Sequence, residues 1–202
     1  MNLNEMFISD ENEYQTFYQK INNIFNSESN FPKEVFKDEY FGFRFEEFDW
    51  AMSIAFWEIL KKMALETNDE YILLAVLEPH PYNYFYKEFN FFNWIKIPII
   101  ADGNMYFDLL EYAPQNSFAD AVLYNSTTVI WTVPSLQWGI WGVRDYGVCA
   151  LGSKNGTLTD EIEELKTWKH IDEAIESWIA PNFSERLIPY EFKELMLKNY
   201  SE

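Results

Sequence analysis

The 202-residue chain has little of what most catalytic and metal centres need: one cysteine, two histidines and three arginines. A single cysteine, Cys149, excludes an internal disulfide and agrees with a reducing compartment. Within the run YGVCALG it reads as a small buried hydrophobe, not an activated nucleophile. His80 stands between two prolines and His170 in a charged stretch. Neither has a second His or Cys at ligand spacing, which excludes a recognisable zinc site. No EF-hand loop or Gly-Xaa-Ser-Xaa-Gly elbow occurs, and Gly139 and Gly142 lie among tryptophans with no following Gly-Lys-Ser/Thr. No metal or cofactor is therefore expected.

Positive charge is the next scarcity. Lys+Arg number 15 against 33 Asp+Glu, a net charge of -18. Such a field repels phosphate backbones and argues against direct nucleic-acid binding. The N-terminal stretch MNLNEMFISDENEYQ lacks a basic region and an apolar core, so no secretory signal is expected and a cytoplasmic location follows. The span from Ala121 to Val143 is uncharged, but Asn125 to Thr128, Pro134, Ser135 and Gln137 interrupt it, and its β-branched and aromatic residues suit strands. No membrane association is expected.

What is abundant is aromatic: Trp 8, Tyr 13 and Phe 18, or 19% of the chain. Helical periodicity is clear at Tyr14, Phe17, Tyr18, Ile21, Ile24 and Phe25. A second helix is predicted from about Glu46 to Glu66, with Phe48, Met52, Phe56, Leu60 and Met63 on its stripe. Tyr71 to Leu77 is a continuous apolar run that reads as an interior strand, and Tyr84 to Ile100 reads as extended with Pro98 at a sheet edge. Met105 to Tyr112 fits a short helix. Strands follow at Thr127 to Val133, Trp138 to Val143 and Tyr146 to Leu151, the last two joined as a hairpin by Arg144-Asp145. Thr157 to Asp160 reads as a capping box, Ile171 to Trp178 has helical spacing, and Pro189 opens a last helix carrying Tyr190, Leu195 and Met196. The pattern predicts a single α+β domain over 1–202, with helical 1–67, sheet-rich 70–152 and helical 157–200 segments and helices packed on a largely antiparallel central sheet.

Glu78 with Glu88 or Asp145, flanked by Trp94, Trp138 and Trp141, is the carboxylate pair that glycoside chemistry in a sugar groove would need, but most of these aromatics sit at core periodicity; the wider alternative is an intracellular enzyme or ligand-binding protein with an aromatic-lined carboxylate pocket. The cluster Asp102, Asp108 and Glu111 reads as solvated helix charge. A different constellation stands out at Trp138 to Gly147, WGIWGVRDYG, where Arg144 and Asp145 occupy the hairpin tip. Tryptophan, tyrosine and arginine are the usual energetic anchors of protein interfaces.

The strand-turn segment WGIWGVRD, the strand YGVCALG and the stretch HIDEAIESW together resemble the small acidic immunity proteins of bacterial polymorphic-toxin and contact-dependent inhibition systems. The resemblance covers Trp131 to Trp178. It implies a non-enzymatic protein that binds a cognate toxin domain and blocks its active site or substrate cleft, encoded directly downstream of that toxin. An acidic inhibitor would be steered into a basic, nuclease-type cleft. The residues expected at such a contact are Glu46, Glu47 and Asp49, Trp138, Trp141, Arg144 and Asp145, and Asp160, Glu161, Glu163 and Glu164. A monomer that binds one basic protein partner is the expectation.

Overall fold

The computed structural model describes residues 3–154, 156, 158 and 162–201. Helix α1 spans Glu11–Ile24, and Asp10 caps it by accepting a hydrogen bond from the Glu13 amide at 2.8 Å. Its buried stripe of Tyr14, Phe17, Ile21 and Ile24 is the one the spacing predicts. Strand β1 (Phe41–Glu47) follows, then a single helical turn at Phe48–Ala51 and helix α2 (Phe56–Glu66). Next come β2 (Tyr71–Glu78), β3 (Trp94–Pro98), α3 (Gly103–Glu111), β4 (Thr128–Thr132), β5 (Trp138–Val143) and β6 (Val148–Ser153). Helix α4 (Ile171–Ala174) runs on into a wider turn at Ile175–Ile179, and α5 (Tyr190–Tyr200) closes the chain.

The strands form one antiparallel sheet in the order β1-β6-β5-β4-β2-β3. Alternation along each strand sends side chains into two separate cores. Ile72, Leu74, Val76, Trp131 and Ile140 face the layer made by α2 and α3. Leu73, Ala75, Ile130, Trp141 and Val143 face the layer made by α1, α4 and α5. The protein is thus an α+β fold whose central strands are covered on both faces, which explains why β2 and β4 read as unbroken apolar runs.

Glycines let these cores carry so many rings. A Cβ on Gly139 would lie 2.5 Å from the Phe25 ring, one on Gly152 2.9 Å from Phe36, and one on Gly142 2.8 Å from the Cys149 sulfur and 2.9 Å from Trp131. The aromatic excess and the strand glycines are therefore two halves of one packing solution.

Both sheet edges are blocked. Phe7 bridges to Ile95 outside β3, and Lys169 bridges to Phe45 outside β1 with hydrogen bonds of 2.8 and 2.9 Å. Blocked edges discourage pairing with a second chain.

The structure corrects three boundaries. The helix predicted from Glu46 does not start there: Glu46 and Glu47 end strand β1, which the period-two spacing of Phe41, Phe43 and Phe45 already encodes. Tyr84 to Ile100 is not extended throughout, because Pro81–Tyr86 coils into a wide helical turn and Asn90 turns left-handed at φ 60° before β3 begins. The β5–β6 connection runs over Arg144 to Gly147, and Gly147 supplies the φ of 64° that returns the chain to β6. Thr157 and Asp160 of the predicted capping box lie outside the described residues.

Candidate functional site

Trp138 and Trp141 do not belong to a contact surface. They are 0% and 1% exposed, one in each core, and the Trp141 indole N–H reaches Asn30 Oδ1 at 3.4 Å. Alternation along β5 places them on opposite faces, and the covering helices bury both. Trp94 is buried too, its N–H donating to the Val76 carbonyl at 2.7 Å, so no groove is lined by three tryptophans. Cys149 is fully buried, and burial holds its thiol well above the ordinary value, protonated and inert at neutral pH.

Arg144 has a structural role at the surface. Its Nε donates to the Ser126 carbonyl at 2.7 Å, and Nη2 donates to the Leu123 carbonyl at 2.9 Å and to Ser126 Oγ at 3.1 Å. The guanidinium lies 4.7 Å over the Phe48 ring and 4.0 Å from the Asp49 carboxylate. Arg144 thereby joins the β5–β6 turn, the start of the Phe48–Ala51 turn and the long connection between α3 and β4. Burial pushes its pKa down from the usual value, while Asp49 and Asp145 pull it back up.

That connection, residues 112–127, carries no repetitive strand or α-helix but is heavily tied. Asp120 is only 8% exposed, and it accepts hydrogen bonds from Ser117 Oγ at 2.5 Å, Tyr84 Oη at 2.7 Å and Asn125 Nδ2 at 2.5 Å. Burial alone would raise its pKa, but these donors outweigh it and hold the carboxyl below the ordinary 3.8. Ala121 and Val122 insert into the interior, and the Leu123 amide donates to the Leu110 carbonyl at 2.8 Å. The rigid loop presents Phe118 at 82% and Tyr124 at 60% exposure, with Tyr84 beside them at 44%. Tyr124 Oη donates to Glu111 at 3.2 Å. Sequence patterns missed this surface because Phe118 and Tyr124 follow no helix or strand period; the loop's length is its one signal.

Because the folded pKa of Asp120 lies below the unfolded one, its contribution is complete above pH 3.8 and is lost as pH falls below that value. The loop is expected to loosen there before the sheet does. Amide resonances of Asp120 and Asn125 broadening ahead of those of β4 would show it; simultaneous loss would contradict it.

The described acidic residues predicted from sequence fall in two places. Glu47, Asp49 and Asp145 surround the Arg144 junction, since Glu47 pairs with Val148 and the Phe48 amide donates to the Gly147 carbonyl at 3.0 Å. Glu46 is half-buried on β1; burial raises its carboxyl above the ordinary value, opposed by the Glu47 amide, which donates to it at 2.8 Å. Glu163 and Glu164 open the turn at Glu163–Thr167, which Lys62 ties to α2 through Glu164 and which leads to Trp168, 6.4 Å from the Trp50 ring. Cations partly engage them: Lys166 lies 2.6 Å from Glu163, and Lys62 bonds Glu164. Asp160 and Glu161 lie outside the described residues.

One groove of about 320 Å³ is lined by Glu28, Asn30, Glu78, His80 and Trp141, among others. His80 Nδ1 accepts from the Tyr82 and Asn83 amides at 3.2 and 3.1 Å, so its basic nitrogen caps the turn it precedes. Among the described residues no group of three or more His, Cys, Asp or Glu is placed to hold a metal ion, and no helix is long and apolar enough to cross a membrane. No protein-family model, curated protein or solved structure matched the chain in the three comparisons made.

Proposed function

We propose that the chain is a non-enzymatic binding protein that neutralises a basic toxin domain by covering its active site or substrate cleft. The observation that carries this is the uncompensated acidity. Even if every Lys and Arg paired with one carboxylate, 18 carboxylates would be left over. Burial explains most of the aromatics but not this charge, which opposes folding through self-repulsion. A basic partner would relieve that repulsion, and complementary fields would accelerate its capture. Acidic side chains line the Arg144 junction, where Asp49 lies 4.0 Å from the guanidinium that also holds the α3–β4 connection.

A ligand-binding role has the groove beside Glu28, Glu78 and His80 in its favour. The use of His80 Nδ1 in capping counts against it as a general base.

The direct test expresses the product of the adjacent upstream gene with and without this chain. The expected outcome is growth arrest relieved by the chain and a one-to-one complex between the two. A neighbour that is not toxic, or toxicity the chain leaves untouched, would overturn the toxin reading.

A further inference from the structure

We infer that the α3–β4 loop, with the adjoining Tyr84 of the Pro81–Tyr86 turn, is the contact surface for the basic partner, the exposed rings Tyr84, Phe118 and Tyr124 receiving arginine or lysine side chains that protrude from that protein. The inference rests on the basic-partner reading and assigns it a place.

Three independent observations converge on it. First, exposure: among the described residues five Phe, Tyr or Trp rings are exposed, and three of them, Tyr84, Phe118 and Tyr124, gather at this loop, Phe41 of β1 and Tyr190 of α5 being the others. Second, order: the loop is held at one end by Asp120 with its three donors and at the other by Arg144 with three side-chain hydrogen bonds, so the rings are displayed on a fixed frame. A preordered surface loses little conformational entropy on binding. Third, charge: from Ile97 to Val143 the sequence contains Asp102, Asp108, Glu111 and Asp120 and not one Lys or Arg. Aromatic faces bordered by carboxylates suit a cation that stacks on the ring and pairs at its edge, and Arg144, the cation at this loop, is already committed to the Ser126 and Leu123 carbonyls, the Phe48 ring and Asp49. Tyr124, whose hydroxyl already donates to Glu111, joins both elements in one place.

A second copy of the chain suits this surface poorly. A two-fold contact would bring the patch against itself, carboxylates facing carboxylates with Arg144 already committed to the loop and Phe48, in molecules of charge -18.

The test titrates the isotopically labelled chain with nona-arginine at low salt and follows its amide resonances, with Phe118→Ala/Tyr124→Ala in parallel. The expected result is saturable binding with the largest shifts at Tyr84 and residues 117–125, weakened about tenfold in the double variant, whose spectrum otherwise stays native. Saturable binding whose shifts centre on Glu47–Asp49 or Glu163–Glu164, unaffected by the double variant, would overturn the surface and leave the basic-partner reading standing. No saturable binding would overturn both. A concentration-dependent dimer abolished by the double variant would give the surface to a second copy and overturn the inference.

Discussion

Trp141→Ala is expected to lower the unfolding free energy by about 3–5 kcal/mol, the range for truncating a fully buried tryptophan. The ring fills the space between β5 and the end of α1, 5.4 Å from the Phe25 ring, and its N–H satisfies Asn30. The neighbouring Gly139 leaves no Cβ to close the resulting cavity, since Phe25 already occupies that position. For a chain of this size the loss corresponds to a fall in Tm on the order of 10 °C. Phe118→Ala, equally aromatic but 82% exposed, is expected to stay within about 0.5 kcal/mol of wild type. Denaturant unfolding of the two variants checks the assignment. Equal, small losses would mean that Trp141 is not a core residue.

Arg144→Met is the second large effect. Methionine keeps the stem that crosses Phe48 but removes every side-chain hydrogen bond to the loop, leaving the backbone bond from the residue 144 amide to the Thr127 carbonyl. Ser126, 2% exposed, and the Leu123 and Ser126 carbonyls then lose their charged donor. Leaving such groups unpaired costs about 2–3 kcal/mol. Lysine is not expected to rescue it, because a single ammonium cannot reproduce the fork that meets Leu123 and Ser126 together. The local signature separates this from general destabilisation: amide exchange should speed first between Leu123 and Thr127, whereas Trp141→Ala should act across β5 and β6. Uniform acceleration in Arg144→Met would show that Arg144 does not hold the loop.

These two residues illustrate what the sequence makes legible. Trp138, Trp141 and Arg144 stand within seven consecutive positions, and one-dimensional proximity suggests a shared surface role. Strand alternation sends the tryptophans to opposite cores and leaves only Arg144 near solvent. Which face a β-strand buries depends on what covers it, and here helices from both ends of the chain cover both faces. Periodicity found α1, β2, β4 and the β5–β6 hairpin because each carries its apolar pattern in contiguous residues. It misplaced β1 because the Phe41-Phe43-Phe45 alternation runs directly into Phe48, Met52 and Phe56, whose spacing is helical. The loop surface was illegible for another reason: Asp120 gains one of its three donors from Tyr84, far away in sequence, and nothing in the local pattern announces that contact.

On the proposed function, the acidity serves capture of a basic protein. Stopped-flow association of the purified chain with the domain encoded immediately upstream, measured as salt rises from about 20 mM to about 500 mM, tests it most directly. The account predicts a one-to-one complex whose association rate constant falls at least about tenfold over that range, as electrostatic steering is screened. A complex whose association rate ignores salt, or no complex at the lowest salt, would contradict it.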